Sequence, residues 1–318
     1  MVMDDDVMAE YAAVRDGGVG LIDLSARGRI SVSGSEAVMF LNGLITNDLK
    51  ALAENRWMPA AFPNVQGRLL AAVRVIRRAN DILLDTEAAT REKVIKIIER
   101  FTLAGDFKVR DLTGEQPMIS LQGRRAAEIV EKIFPVKDLA RDSVWQNEDI
   151  TIIRATHTAE EGFDVIGALP AFDATPVSER VAEILRIEAG IALYGVDMDE
   201  SNVVTETNLD DAVSFTKGCY LGQEIIIRIK HRGHVAKKLT GLRFETDREI
   251  EAGAAIRSSD EKEIGRVTSS TFSPRLGTTV GLGYVRYEHL TPGSKIIVDG
   301  VSAETAELPL IRGSWYHE

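Results

Sequence analysis

The segment with the highest concentration of reactive side chains runs from Lys217 to Glu224 and reads KGCYLGQE. It combines the only cysteine of the chain, Cys219, with a lysine, two glycines and the amide and carboxylate of Gln223 and Glu224. Glycines permit positive φ or a close backbone approach, which favours a tight turn facing a ligand. A neighbouring ammonium stabilises a thiolate, so Lys217 and Cys219 are the candidate catalytic residues. The alternative is that Cys219 is a small buried apolar residue.

Basic residues dominate the stretch that follows. Between Lys217 and Arg243 the local charge balance is +6, within a chain whose net charge is -11. Such a local excess of positive charge can bind the carboxylate or phosphate of an anionic ligand, and Arg228 and Arg232 are candidates for that contact. A solvated face whose basic side chains pair with acids elsewhere is the competing interpretation. We expect this stretch to be an extended strand.

A metal centre at Cys219 with His231 and His234 would suit zinc, which binds thiolates and imidazoles. The sequence has no CxxC pair, and an extended strand would carry the histidines away from the thiol. We therefore expect no metal site here.

A second concentration of polar groups occurs from Arg186 to Asp197, which reads RIEAGIALYGVD. Gly190 is expected to end a helix, which leaves Glu188 in the last helical turn. A carboxylate is poorly placed at a helix C-terminus, so Glu188 is either paired with Arg186 or retained for a ligand. A carboxylate facing adjacent N–H donors of a heterocycle is a natural recognition pair.

The elements that must position these groups follow from hydrophobic periodicity. The first part of the chain alternates strands and helices in two similar passes, which is typical of an α+β fold. Predicted helices begin near Ser33 or Ser35 (apolar at Val38, Leu41, Leu44 and Ile45), at Thr90 (apolar at Val94, Ile97, Ile98 and Phe101), at Arg124 and at Val177. After Lys238 only short strands are expected, punctuated by Gly and Pro, which predicts a small β-barrel.

Composition limits the function. A length of 318 residues allows two domains, predicted as 1–238 and 239–318. The acidic balance disfavours binding to nucleic acid or to anionic membranes, and one cysteine excludes an intramolecular disulfide. No GxGxxG, P-loop or GxSxG motif occurs, and no apolar stretch is long enough for a membrane span. The start of the chain is acidic, unlike a signal peptide, so a cytoplasmic location is expected.

Taken together, the motifs resemble the YgfZ family of folate-binding proteins, which share the fold of the glycine-cleavage T-protein, an aminomethyltransferase. The resemblance is carried by KGCYLGQE, by RIEAGIALYGVD and by the KHRG run from Lys230 to Gly233. It extends over nearly the whole chain, from Phe40–Leu41–Asn42–Gly43 to the segment Gly265 to Ser270.

The resemblance implies a three-lobed ring, with two interleaved N-terminal α+β lobes, a C-terminal barrel and tetrahydrofolate in the central channel. It further implies a role in assembling or repairing iron–sulfur enzymes, which would be partner proteins. Cys219 would be the functional thiol, and Glu188 would face the pterin ring. The other residues implied at the folate site are Tyr194, Gln223, Glu224, Arg228 and Arg232.

One departure distinguishes this chain from the T-protein, which places an acidic pair just after the glycine of its central hairpin. Here Gly67 is followed by Arg68, and no Asp or Glu occurs between Glu54 and Asp81. The alternative function, folate-dependent aminomethyl transfer, is therefore disfavoured unless an acid from elsewhere in the chain takes that place.

Overall fold

The computed structural model describes residues 3–100 and 105–316, without the side chain of Arg232. The helices are α1 (Asp5–Arg15), α2 (Ala37–Leu44), α3 (Arg91–Glu99), α4 (Ala126–Glu131), α5 (Glu179–Glu188) and α6 (Gln223–Arg232). The strands of the first two lobes are β1 (Gly20–Asp23), β2 (Gly28–Ser33), β3 (Arg56–Pro63), β4 (Leu69–Arg77), β5 (Ile82–Thr86), β6 (Lys108–Asp111), β7 (Met118–Gln122), β8 (Val144–Gln146), β9 (Ile150–Arg154), β10 (Gly162–Gly167) and β11 (Thr175–Pro176). The third lobe contains β12 (Lys237–Phe244), β13 (Ala255–Arg257), β14 (Glu263–Ser273), β15 (Thr278–Arg286), β16 (Lys295–Val298) and β17 (Val301–Ala306).

The first lobe is a five-stranded antiparallel sheet in the order β3-β4-β5-β2-β6. Helices α2 and α3 cover one face of it and bury their apolar stripes, including Leu41 and Val94, against the sheet residues Val73 and Leu84. This burial removes the apolar surface that an amphipathic helix cannot leave in water.

The second lobe is a six-stranded sheet in the order β11-β1-β7-β10-β9-β8. Its strand β1 precedes the whole first lobe in the chain, yet it pairs antiparallel with β7 and parallel with β11. The two lobes are therefore interleaved, as the resemblance implies.

The two sheets meet through a mixed interface. Apolar residues from both sheets, among them Ile76, Leu83, Met118, Ile153 and Ile166, form one buried cluster. Beside the apolar cluster runs a chain of charged groups that consists of Arg27, Asp85, Arg74, Asp164 and His157.

The third lobe is a closed antiparallel barrel in the order β12-β15-β14-β13-β16-β17. Helix α5 packs against its strands β14 and β15, and Ile187 joins the barrel residues Val280, Leu282 and Tyr284 in a single buried cluster. The predictions of an α+β fold and a C-terminal barrel are confirmed. In the parts of the chain described, the structure has no helix with the length and apolar character needed to cross a membrane.

The predicted strand after Glu224 is wrong, because residues Gln223–Arg232 form helix α6. The run of isoleucines at this point favours a strand by propensity. Instead, the helix is bounded by a glycine at each end. Gly222 (φ 78°) precedes its first turn and Gly233 (φ 87°) follows its last, and both adopt the left-handed backbone conformation. Ile226 is then buried in a cluster with Leu69, so tertiary packing overrides the local preference.

Helix ends also differ from the sequence expectations. Helix α2 begins after Glu36 with no side-chain cap, and α4 is shorter than predicted, ending at Glu131. The predicted apolar position Phe101 lies outside the described residues.

Candidate functional site

The KGCYLGQE segment forms a turn that packs on the hairpin between β3 and β4. A Cβ atom on Gly222 would lie 2.2 Å from the carbonyl oxygen of Asn64, and the backbone has positive φ, so only glycine fits. Leu221 donates its backbone N–H to the carbonyl of Gly43 at 3.3 Å. Gly218 has neither a positive φ nor a close neighbour, so the steric demand for glycine falls on the second glycine alone.

The turn exposes its thiol and buries its aromatic ring. Cys219 is exposed, which excludes the interpretation of it as a small buried apolar residue. Tyr220 is buried among Leu69, Val204 and Ile226, and its hydroxyl has no hydrogen-bond partner among the described residues. Burial raises the pKa of Tyr220 to about 12, so the phenol is neutral at physiological pH.

Lys217 anchors this turn to the end of α2. Its ammonium donates to the carbonyl oxygens of Asn42 at 2.6 Å, Ile45 at 2.9 Å and Asn47 at 2.8 Å. These carbonyls lie at the C-terminus of α2, where backbone acceptors lack helical partners and a cation is favourable. Burial lowers the pKa of Lys217 to about 8. The ammonium is therefore committed to the helix end, and a direct action on the thiol stays a prediction.

The remaining predicted residues of the segment lie on the first turns of α6. Gln223 is half-buried, whereas Glu224 and Arg228 are exposed. The side chain of Arg232 lies outside what the structure describes. The described residues contain no group of three or more His, Cys, Asp or Glu side chains arranged to hold a metal ion.

A loop from residue 199 to residue 206 packs along the hairpin. Leu69 donates its N–H to the carbonyl of Asn202 at 2.9 Å, and Val204 donates to the carbonyl of Gly67 at 3.3 Å. Arg68 donates from its guanidinium to the carbonyl of Ser201. The hairpin itself carries no carboxylate, but this loop brings three to it.

These three carboxylates differ in environment. Glu200 is half-exposed and pairs with Lys93. Hydrogen bonding from Ser201 lowers the pKa of Asp199. Glu206 is buried, and the one partner the structure shows for its carboxylate is the backbone N–H of Val203 at 3.2 Å.

Glu188 lies in a buried ion pair. Its carboxylate accepts from Arg15 at 2.7 and 3.1 Å, from the Tyr11 hydroxyl at 2.8 Å and from the Ser273 hydroxyl at 2.5 Å. It is 0% exposed, so both oxygens are enclosed and already bonded. Contact of Glu188 with a pterin ring stays a prediction, and it would require these bonds to open.

Asp197 repeats this arrangement nine residues further along the chain, beyond the end of α5. It accepts from Arg186 at 2.6 Å and from the hydroxyls of Thr268 and Ser269, each at 2.6 Å. Of the two alternatives for Glu188, the pair with Arg186 is wrong, because Arg186 pairs with Glu183 and Asp197. Both carboxylates thus join an arginine of the first two lobes to hydroxyl groups on barrel strand β14.

Tyr194, another predicted site residue, lies close to both α3 and the hairpin. Its hydroxyl is 3.3 Å from the Lys93 ammonium and 3.4 Å from the carbonyl of Leu69. Burial raises its pKa above the usual value, despite the nearby ammonium.

Comparison with known proteins agrees with this architecture. The sequence model of the GCVT N-terminal domain matches residues 1–217, and that of the glycine cleavage T-protein C-terminal barrel domain matches residues 237–311. The chain belongs to the glycine cleavage T-protein family. Two similar curated proteins are named aminomethyltransferase. That of Aquifex aeolicus is 30% identical over 92% of this chain and 83% of its own length. That of Rubrobacter xylanophilus is 31% identical over 88% and 79%.

A solved structure supports the fold of this T-protein family member. The crystal structure of glycine cleavage system aminomethyltransferase T from Bartonella henselae superimposes with a TM-score of 0.88 at 24% identity. It covers 96% of this chain and 90% of the other. The predicted fold is thereby confirmed, and the chain is placed in the superfamily of folate-dependent aminomethyltransferases.

Sequence reasoning missed several residues of this family member that contribute to the site. Tyr11 and Arg15 lie on α1, far from Glu188 in the chain, and Ser273 lies on the barrel. Glu206 was missed because nothing in its local sequence distinguishes it from a surface acid. An arginine with a tyrosine one helical turn away on an N-terminal helix was the one available signal.

Proposed function

We propose that the protein is a tetrahydrofolate-dependent one-carbon transferase of the aminomethyltransferase type. The observation that carries the proposal is the match of the two T-protein domain models to residues 1–217 and 237–311 of the chain. Relatives that are 30% and 31% identical to this chain, over most of both chains, bear the name aminomethyltransferase. Tetrahydrofolate would supply the nitrogen that accepts the carbon unit.

Such a transfer needs a carboxylate to handle the proton of the accepting nitrogen. The hairpin cannot supply one, because its turn continues from Gly67 into Arg68. We assign this part to Glu206, which the adjoining loop holds in a buried position beside the hairpin. Two backbone hydrogen bonds hold this loop to the hairpin: Leu69 donates to Asn202, and Val204 donates to Gly67.

The experiment is an anaerobic titration with tetrahydrofolate, followed by an assay of carbon transfer from an aminomethyl donor. We expect saturable binding by the wild type and by Glu206→Gln, with transfer at least a hundredfold slower in the variant. The exposed acid of the same loop, Glu200→Gln, is the matched control and is expected to retain transfer. Absence of tetrahydrofolate binding by the wild type would refute the proposal.

A second function is favoured by one observation, the exposure of the single thiol on the KGCYLGQE turn. This is the folate-linked support of iron–sulfur enzymes that a resemblance to the YgfZ family implies. An exposed cysteine can contact a client protein directly, whereas a buried one cannot. In this function the client, rather than a small donor molecule, would meet Cys219.

The test is complementation of cells that lack the protein, with the activity of a [4Fe–4S] dehydratase as the readout. Activity restored by the wild type but not by Cys219→Ala would support the iron–sulfur function. Full restoration by Cys219→Ala would exclude the thiol from it. Folate binding by purified Cys219→Ala is expected to persist, which separates the thiol from the folate site.

A further inference from the structure

A cleft of about 320 Å³ lies between α6, the segment before the KGCYLGQE turn and the barrel. Its size falls at the lower end of the range for small-molecule sites. The cleft is distinct from the hairpin and from the buried ion pairs described above. The residues of its wall used below are Phe215, Lys230, His234, Lys238 and Tyr287.

Aromatic rings line one side of the cleft. The rings of His234 and Tyr287 are stacked, with centroids 4.0 Å apart and planes inclined by 15°. A stacked pair leaves an outer ring face to which a planar ligand can add, and such ring contacts are favourable beyond simple burial. The cleft therefore suits a ligand with at least one aromatic ring.

Positive charge also lines the cleft. The ammonium of Lys230 lies 3.5 Å from the ring centroid of Phe215, and within the described part of the chain it has no carboxylate partner. Lys238 pairs with Asp210 at 2.7 Å, an acid whose side chain is 60% exposed. An exposed pair of this kind is weak, so both lysines are available to an anion.

We propose that this cleft is a binding site for a small aromatic carboxylate. The ligand ring extends the stack of His234 and Tyr287, and its carboxylate meets Lys230. This chemistry has two sources. One is the benzoyl-glutamate end of a folate, in which case the inference rests on the proposed function. The other is a separate aromatic acid.

Calorimetric titration with p-aminobenzoyl-L-glutamate tests the site. We expect saturable binding by the wild type, weakened about tenfold or more by Lys230→Gln and by Tyr287→Leu, because each removes one recognition element. Lys262→Gln, a change at an exposed barrel lysine, is the matched control and is expected to bind like the wild type. Both cleft side chains are exposed, so the variants are expected to keep the melting temperature of the wild type, which thermal unfolding checks.

The inference is overturned if the wild type shows no saturable binding at millimolar probe, or if both variants bind as tightly as the wild type. Competition distinguishes the two sources. Displacement of the probe by tetrahydrofolate identifies the benzoyl-glutamate end of a folate as the ligand. If the probe stays bound in the presence of tetrahydrofolate, the ligand is a separate aromatic acid. Tetrahydrofolate binding without any probe binding would refute this inference and leave the proposed function intact.

Discussion

At the scale of single residues, the charged groups of the two motifs divide between structure and chemistry. Lys217 satisfies three carbonyls at the end of α2, and Glu188 accepts from three side chains in a closed cluster. By contrast, the thiol of Cys219 is exposed, and the carboxylate of Glu206 has, among the described residues, a single backbone partner. A residue of an unusual motif can therefore be required for the shape of a site without contacting a ligand.

Replacement of Lys217 by methionine is expected to lower the free energy of unfolding by about 3 kcal/mol. The apolar chain fills the same space but leaves three buried carbonyl oxygens without a donor. Urea unfolding measures the change, and Lys50→Met, at an exposed position near the same helix end, is the control. An unchanged midpoint in the Lys217 variant would show that water replaces the ammonium at no cost.

Acid sensitivity is a second prediction at this scale. Burial alone would raise the pKa of Asp85, but the guanidinium groups of Arg27 and Arg74 outweigh it and hold the pKa below its usual range. Burial would also raise the pKa of Asp164, but His157 and Arg74 outweigh it and hold that pKa below its usual range. The unfolded chain therefore takes up protons at higher pH than the folded chain does. Stability is fully present above the ordinary carboxyl pKa of about 4 and is lost as the pH falls below it.

Melting temperatures measured from pH 7 to pH 3 test this expectation. Asp164→Asn is expected to be less stable than the wild type at pH 7 and to lose less stability between pH 5 and pH 3. The exposed Asp173→Asn is the control, with a wild-type profile expected. Parallel curves for the wild type and Asp164→Asn would contradict the assignment.

At the scale of elements, the two glycines of the KGCYLGQE turn are not equivalent. Gly222→Ala is expected to destabilise the protein by about 2 kcal/mol or more, because a Cβ there meets the Asn64 carbonyl at a positive φ. Gly218→Ala has open space and is the matched control, with no measurable change expected. Thermal unfolding of the two variants makes the comparison, and equal melting temperatures would contradict it.

Most elements could be predicted from hydrophobic periodicity, including the strands of the barrel and the buried stripe of α3. Helix α6 could not, because its isoleucine run favours a strand and the packing of Ile226 against the hairpin decides otherwise. Helix α1 and strand β1 were missed because their partners, such as Glu188 and Thr175, lie far along the chain. Local pattern thus predicted the elements, whereas long-range contacts determined the site.

At the scale of the whole molecule, two buried carboxylates hold the barrel to the rest of the chain. Glu188 links Arg15 to Ser273, and Asp197 links Arg186 to Thr268. Both lie on or just after α5, which also packs on the barrel through Ile187. The position of the barrel relative to the first two lobes therefore depends in part on one helix and two ion pairs.

Glu188→Ala is expected to cost about 3 kcal/mol or more, because the Arg15 guanidinium keeps only Glu160 as a counter-charge and the hydroxyls of Tyr11 and Ser273 lose their acceptor. Loss of folate binding in this variant would then reflect unfolding, so circular dichroism must accompany the titration. The double variant Arg15→Met, Glu188→Met removes one charge of each sign but leaves the buried Glu160 without its arginine, so it is expected to recover only part of the stability. A fully stable Glu188→Ala protein would contradict the structural role and favour a ligand-binding one.

The interleaving of the first two lobes has a consequence for the order in which the chain acquires structure during synthesis. Strand β1 leaves the ribosome early, yet its partners are β7 and β11, which lie about 100 and 150 residues later. Strands β2 to β6 pair only with one another in their sheet, so the first lobe can form while β1 waits. Closing such long loops is slow. The nascent chain therefore carries an unpaired strand edge until α5 emerges, and in that interval it is most exposed to aggregation.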